Sequence, residues 1–200
     1  MKRSLMMATA LFAVNVTITV AAPKNIILLI GDGMGEAEIA VTRSYEYDGD
    51  AGLFVDTLKS RGSVVVKQLM VDDPSKIQFT GESASGGTTI STGNRTSAGR
   101  VAVRAEDGAN YKTILEEAQE KGLKTGLVTT SIITDATPAS FAAHVQNRYC
   151  FMMGSSACEQ FNDRPIVEQM LDTNVDVMLG GGTNLLPARV AEGGTVKEKA

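Results

Sequence analysis

Three short segments of the sequence carry hydroxyl, carboxylate and guanidinium side chains beside glycines or other small residues. They span residues 31–35, 80–89 and 133–138, and Arg148 follows the third. Each segment comes after an apolar run that we expect to be a β-strand. Because sites in α/β sheets form at the carboxyl ends of strands, we expect these polar side chains to meet at one edge of a sheet.

The first segment, Gly31-Asp32-Gly33-Met34-Gly35, follows an apolar run and precedes a predicted helix. A dinucleotide-binding loop is excluded, because Glu36 stands where the pattern needs glycine and Asp32 would repel a pyrophosphate. The glycines let the chain turn sharply and expose the carboxylate, which favours Asp32 as a ligand of a hard or borderline metal ion. The alternative is that Asp32 only closes a turn.

The second segment, residues 80–89, leads from a short strand into a predicted helix with Ser83 at its N-terminus. Unpaired N–H groups and the helix dipole favour negative charge there, both on an ionising hydroxyl and on a phosphate that it attacks. The alternative is that Ser83 is only an N-cap. A P-loop is excluded because no lysine follows the glycines, and a serine-hydrolase elbow is incomplete because Ser85 replaces its last glycine.

The third segment, residues 133–138, contains Asp135 and Thr137, whose oxygens suit a hard cation such as Mg²⁺. Arg148 offers a planar fork for a tetrahedral oxyanion. Each of these three residues, taken alone, has a surface or capping role as its alternative. We expect His144 to be a packing residue and not a metal ligand.

Alternating strands and helices must position these groups. The apolar, β-branched run at residues 25–30 predicts a buried central strand. Further elements follow from the same patterns: strands at 63–71, 77–80, 127–130 and 175–179, and helices at 36–47, 113–121 and 166–171. This alternation predicts an α/β fold with a mostly parallel sheet, which we take as a three-layer α/β/α arrangement.

Composition narrows the partners and the metal chemistry. The 200 residues include 19 basic and 23 acidic side chains, a net charge of −4, so no broad cationic surface exists for nucleic acid. One histidine and two cysteines cannot build a multi-histidine or multi-cysteine metal site within this chain. Any metal held by this chain must therefore rest mainly on carboxylates.

Residues 1–22 have the pattern of a secretory signal peptide: Lys2 and Arg3, an apolar run, then Ala21 and Ala22, with cleavage after either alanine. A membrane anchor is the alternative, but the run is shorter than the roughly 20 residues of a spanning helix. Export to the periplasm or medium would let Cys150 and Cys158 form a disulfide, expected to fix a local surface segment; two free thiols are the alternative.

The order of the three segments resembles the N-terminal part of alkaline phosphatases. The matching motifs are Asn25-Ile26-Ile27-Leu28-Leu29-Ile30-Gly31-Asp32-Gly33-Met34-Gly35, Glu82-Ser83-Ala84, Ser91-Thr92-Gly93, Asp135-Ala136-Thr137-Pro138, His144-Val145, Arg148 and Asp176-Val177-Met178-Leu179-Gly180-Gly181-Gly182. The resemblance covers nearly all of residues 23–200. It implies the N-terminal part of a catalytic domain whose central sheet is incomplete in this chain.

The resemblance also implies a role for each matching residue. Ser83 would be the phosphorylated nucleophile and Arg148 would hold the phosphate. Asp32 would bridge one of two zinc ions and a single magnesium ion, Thr137 would ligate the magnesium, and Asp135 would lie near its shell. The substrates would be phosphate monoesters, with inorganic phosphate as product, and the enzyme would be a homodimer with no membrane or specific nucleic-acid partner. The Cys150–Cys158 pair also resembles a disulfide of the family.

Two features depart from the family. Glu82 replaces the aspartate that usually precedes the nucleophile, and the zinc-binding histidines of the family belong to a C-terminal half. We therefore expect a longer enzyme of which this chain, by itself, is inactive. The alternatives are a non-catalytic phosphate-binding fragment and a sulfatase or phosphodiesterase of the same superfamily.

Overall fold

Helices and short strands alternate along the chain in the computed structural model, which describes residues 25–47, 52–152 and 154–182. The predicted signal peptide, residues 1–22, lies outside the described residues. The helices are α1 (Glu36–Tyr47), α2 (Ser83–Thr92), α3 (Ile114–Glu120), α4 (Ala136–Ala142), α5 (Ser156–Glu159) and α6 (Ile166–Asp172), with a 3₁₀ turn at Phe54–Thr57. The strands are β1 (Gln68–Leu69), β2 (Ile77–Gln78), β3 (Gly126–Ile132) and β4 (Val177–Gly181).

Both kinds of strand pairing occur. β3 pairs with β4 in parallel, with Leu127 opposite Met178, and the register shifts between Val128 and Ile132. β1 and β2 form a separate antiparallel pair. The α/β class agrees with the sequence-based prediction, as do the helices at residues 36–47, 113–121 and 166–171.

Two predicted strands differ in the structure. The chain divides into one unit that ends at Gly31 and another that begins at Asp32. In the first unit, residues 25–30 form no strand and are exposed, with Leu29 at 90%. In the second, only β1 pairs within residues 63–71, while Val64, Val65 and Val66 are exposed. An apolar sequence pattern shows only which side chains favour burial. A β-strand also needs a neighbouring strand that pairs with its backbone N–H and C=O groups.

Small residues bring α2 and α4 close together, which sets the distance between the second and third polar segments. Ala84 on α2 and Ala136 and Ala139 on α4 are fully buried. At Gly87 an added Cβ would lie 2.7 Å from the Ser140 hydroxyl oxygen. Because neither helix places a large side chain at this crossing, their N-terminal turns approach one another.

The loop that carries Arg148 is tied to the core on both sides. On one side, Val101 and Val145 exchange two backbone hydrogen bonds of 2.9 and 3.0 Å. On the other, Cys150 and Cys158 form a disulfide with an S–S distance of 2.04 Å. Cys150 is fully buried, so the disulfide lies in the hydrophobic core and not in a surface segment as predicted. Ile166 and Met170 of α6 belong to the same buried apolar cluster as both cysteines, and the Ile166 N–H donates to the Cys150 carbonyl at 2.9 Å. Within the described ranges, no helix has the length and apolarity that crossing a membrane requires.

Candidate active site

Asp32 gathers two hydroxyl groups that are far apart in the sequence. The Ser83 Oγ lies 3.0 Å from Asp32 Oδ1 and 2.9 Å from Oδ2, and Thr137 Oγ1 donates to Oδ2 at 2.7 Å. Asp32 comes from the turn before α1, Ser83 from the first residue of α2, and Thr137 from the first turn of α4. The structure therefore brings together one residue from each of the three segments singled out in the sequence.

Glu82, and not Ser83, is the N-cap of α2. Its carboxylate accepts hydrogen bonds from the backbone N–H groups of Ala84 (2.9 Å) and Ser85 (2.8 Å), and also from Gly99 (3.0 Å). The prediction of unpaired N–H groups at this N-terminus is therefore wrong at two positions. The physical reason is length, because a glutamate side chain can curl back over the first turn of its own helix and reach both donors.

The Glu82 carboxylate stays ionised in this setting. Burial by itself would raise its pKa, but the three backbone N–H groups and the Arg148 guanidinium outweigh burial and hold the pKa of Glu82 below its ordinary value. The hydroxyl of Ser85 lies 3.3 Å from the Glu82 backbone N–H and donates to Gln68 at 2.6 Å. Thus β1 supports the start of the helix that carries Ser83.

Arg148 lies between two carboxylates. Its Nη1 donates to Glu82 Oε2 and its Nη2 to Asp135 Oδ1, each at 2.7 Å. The backbone N–H of Arg148 donates to the Gly99 carbonyl at 2.7 Å, which fixes where the side chain begins. Both ends of the fork predicted to hold an oxyanion are thus already paired. Arg148 Nε is buried and has no partner in the part of the chain that the structure describes.

Asp135 is the N-cap of α4 and turns toward Arg148 instead of toward Asp32. Its Oδ1 accepts from the Ala136 N–H at 2.8 Å as well as from Arg148, and its Oδ2 accepts from the Ser131 hydroxyl at 2.8 Å. Burial opposes ionisation, but these donors outweigh it and lower the pKa of Asp135. Asp135 therefore contacts the arginine, whereas Thr137, two residues later, contacts Asp32.

The oxygen atoms around Asp32 fit magnesium better than zinc. One carboxylate and two hydroxyls are the hard ligands that Mg²⁺ prefers. Zinc sites instead use imidazole or thiolate ligands beside carboxylates. The only histidine, His144, has its ring nitrogens 3.0 Å from the Ala102 carbonyl and 3.0 Å from Glu116, and both cysteines are in the disulfide. Among the described residues, no group of three or more His, Cys, Asp or Glu side chains is arranged to hold a metal.

Comparison with known proteins identifies the family. The family described as alkaline phosphatase matches residues 23–198. The chain belongs to the alkaline phosphatase family. Over 190 residues it is 37% identical to the alkaline phosphatase of Escherichia coli K12, an alignment that covers 88% of this chain and 40% of the relative. It is also 37% identical over 179 residues to a streptomycin-6-phosphate phosphatase of Streptomyces griseus, covering 86% of this chain and 39% of the relative.

Solved alkaline phosphatases share the fold. The enzyme from the Antarctic bacterium TAB5 aligns with a TM-score of 0.64 and 32% identity, covering 84% of this chain and 42% of that one. A histidine-to-glutamate variant of the TAB5 alkaline phosphatase, solved with Mg bound in the M3 site, aligns with a TM-score of 0.61. This chain therefore spans about two fifths of the length of the curated relatives that it matches.

Two features of this alkaline phosphatase family member were not predicted from the sequence. The capping role of Glu82 had no standard signal, because the reciprocal pair of Glu82 and Ser85 reverses the usual capping box, in which Ser or Thr precedes Glu or Gln by three residues. The contact between Ser131 and Asp135 had none, because a serine that directly follows a predicted strand (residues 127–130) shows nothing about where its hydroxyl points.

Proposed function

We propose that this chain is the N-terminal part of an alkaline phosphatase that hydrolyses phosphate monoesters through a phosphoserine at Ser83. The observation that carries the proposal is the contact of Ser83 Oγ with the Asp32 carboxylate, at 2.9 and 3.0 Å, beside the Thr137 hydroxyl. A nucleophilic serine needs an acceptor for its proton and a group that holds the electrophile. Asp32 supplies the acceptor. Arg148 supplies the group that holds the electrophile, and it is linked to the start of α2 because Glu82 Oε2 accepts from both Arg148 Nη1 and the Ala84 N–H.

The chemical step follows from these positions. The Ser83 oxygen forms a bond to phosphorus as the ester P–O bond breaks. The Ser83 proton passes by way of the Asp32 carboxylate to water, and the departing alkoxide takes a proton from water, so Asp32 ends the step as a carboxylate. Water then hydrolyses the phosphoserine, which restores the hydroxyl and releases inorganic phosphate. Arg148 orients the phosphoryl group through the second N–H of its Nη1 and Nη2, because its Nε is buried. Its two paired nitrogens keep the guanidinium plane fixed during the reaction.

The charge of the site explains why cations are needed. Glu82 and Asp135 contact the Arg148 guanidinium, and Asp32 adds a third carboxylate beside Ser83 and Thr137. These four groups carry an excess of two negative charges, which repels a phosphate dianion. Asp32 and Thr137 would hold magnesium, which would supply positive charge for the phosphoryl oxygens. The described residues do not supply a zinc site, so no step above passes through zinc.

The remaining proposals concern the whole protein. We propose that residues 1–22 direct it to the periplasm or the medium, and that residues 23–200 belong to a catalytic domain with a three-layer α/β/α sheet. Two zinc ions and one magnesium ion would complete the site, and the enzyme would be a homodimer. The relatives and the buried disulfide support this assignment.

Trapping the covalent intermediate tests the proposal. The full-length, metal-loaded protein is incubated with a phosphate monoester, quenched in acid and mapped for phosphoserine, alongside Ser83→Ala and Ser91→Ala variants. We expect label at Ser83 only, and a fall in kcat by orders of magnitude in Ser83→Ala. Ser91 lies at the other end of α2, donates to the Thr88 carbonyl and serves as the matched serine control.

Two results would contradict the assignment. Label on another residue, or full turnover of the Ser83→Ala variant, would remove Ser83 as the nucleophile. Turnover of a sulfate ester or a phosphodiester far above that of p-nitrophenyl phosphate would move the protein to another branch of the superfamily.

A further inference from the structure

Ser131 is aimed by an irregularity at the end of β3. The parallel register with β4 shifts between Val128 and Ile132, and the Ser131 backbone N–H donates to the Thr129 side chain at 3.1 Å instead of to a neighbouring strand. Such bulges redirect the side chains that follow them. The Ser131 hydroxyl consequently points to Asp135, four residues later, and donates to its Oδ2 at 2.8 Å.

In the part of the chain that the structure describes, this hydrogen bond is the single restraint on the Oδ2 side of the Asp135 carboxylate. Oδ1 accepts from Ala136 and Arg148, whereas Oδ2 accepts from Ser131 alone within the described ranges. Without the Ser131 hydroxyl, the carboxylate could rotate about its Cβ–Cγ bond, and the oxygen that faces Arg148 would no longer be fixed. A bond from a hydroxyl to an ionised carboxylate is among the stronger neutral-donor hydrogen bonds.

The two carboxylates that hold Arg148 therefore differ in how firmly they are held. Glu82 is fixed by three backbone N–H groups at the start of a helix. Asp135 has one backbone N–H and depends on the Ser131 side chain for its second oxygen. A change at Ser131 thus acts on the Nη2 side of Arg148 and leaves the Nη1 side in place.

We propose that Ser131 is a positioning residue for phosphate recognition, acting through Asp135 on Arg148. This inference rests on the proposed function, because it assumes that Arg148 holds the phosphoryl group. Ser131 itself touches no substrate. It sets the plane of the Asp135 carboxylate and through it the direction of the guanidinium.

The experiment compares Ser131→Ala and Ser131→Thr in the full-length, metal-loaded protein. The matched control is Ser75→Ala, because Ser75 also donates to an aspartate, Asp73 (2.6 Å), that is paired with a cation, here Lys76. Inorganic phosphate binding is measured by calorimetry and by inhibition, and kcat and KM are measured with p-nitrophenyl phosphate. We expect Ser131→Ala to weaken phosphate binding about threefold to tenfold, Ser131→Thr to retain it, and Ser75→Ala to leave it unchanged.

A double-variant cycle separates positioning from a general structural effect. In an Arg148→Ala background, Ser131→Ala should cause no further loss of phosphate affinity, because the residue through which it acts is gone. The inference is overturned if Ser131→Ala binds phosphate like the parent protein, if threonine fails to rescue it, or if the loss persists without Arg148. A parent protein that binds phosphate but forms no phosphoserine would contradict the proposed function alone, since calorimetry would still decide the role of Ser131. A parent that neither binds phosphate nor turns over would contradict both.

Discussion

Replacing Gly87 with alanine would place a methyl group in the crossing between α2 and α4. The new Cβ would lie 2.7 Å from Ser140 Oγ, 3.0 Å from Ser140 Cβ and 3.5 Å from the Thr137 Cα. The first distance is shorter than non-bonded atoms tolerate, and turning the Ser140 hydroxyl away would leave the Ser140 Cβ still 3.0 Å from the new methyl group, so the helices must separate. Because Ser83 and Thr137 lie at the N-terminal ends of these helices, separation also changes their spacing around Asp32.

The neighbouring glycine, Gly86, provides a control that isolates the free-energy cost of overpacking at Gly87. An added Cβ at Gly86, one residue earlier on α2, would meet nothing within 4 Å. Glycine-to-alanine in a helix interior stabilises by roughly 0.8–1 kcal/mol, and this gain is common to both positions. Overpacking of a well-packed site costs about 1–3 kcal/mol and applies to Gly87 only. The difference in unfolding free energy between the two variants should therefore be about 1–3 kcal/mol, with Gly86→Ala the more stable.

Urea denaturation followed by circular dichroism measures this difference, and initial rates with p-nitrophenyl phosphate measure its effect on the site. We expect Gly86→Ala to keep the parental kcat and Gly87→Ala to lose activity, because small displacements of a nucleophile cost large factors in rate. Equal unfolding free energies for the two variants would refute the close approach of α2 and α4. A destabilised Gly87→Ala with parental kcat would refute its link to the geometry around Asp32.

Three further predictions concern the charged groups. Because the pKa of Glu82 is lowered in the folded state, its ionised carboxylate stabilises the fold fully at pH values above 4.5, its ordinary pKa, and this stabilisation is lost as the pH falls through the lowered pKa. Glu82→Gln should therefore be less stable than the parent near neutral pH, and its thermal denaturation between pH 7 and 3 should depend less on acid. Arg148→Ala should weaken inhibition by inorganic phosphate about tenfold or more, with lysine rescuing only partly, and an unchanged inhibition constant would give Arg148 a structural role. Both ring nitrogens of His144 are already in contact with Glu116 and a backbone carbonyl, so the 200-residue chain purified alone should bind fewer than two zinc ions and show no phosphatase turnover. Two zinc ions per chain, measured by atomic absorption, would show that the ligands are misassigned.

Local signals in the sequence were sufficient for several elements. α3 begins where Thr113 caps it and accepts from the Glu116 N–H, a pattern that is complete within four residues. α1, α6 and β3 likewise lie where the sequence predicts them, and β4 begins and ends two residues later than its predicted range of 175–179. The sequence also identified the family, and it singled out Asp32, Ser83 and Thr137 because their neighbours are small residues in turns.

Other features depended on groups that are distant along the chain. Residues 25–30 have the composition of a buried strand, yet a strand exists only where a second one takes its backbone hydrogen bonds. The disulfide is buried in one apolar cluster with Ile166 and Met170 of α6, and the eight-residue spacing of its cysteines contains no information about those neighbours.

In the candidate site, too, the sequence predicts the reactive groups, and the tertiary structure determines which groups contact one another. The sequence alone determined which side chains could react, because a hydroxyl, a carboxylate and a guanidinium are properties of single residues. Only the tertiary structure decided that Arg148 is paired with Glu82 and Asp135, and that Ser131 holds the latter. Hydrogen bonds form between atoms about 3 Å apart, and which atoms come that close is set by the packing of α2, α4 and β3 together.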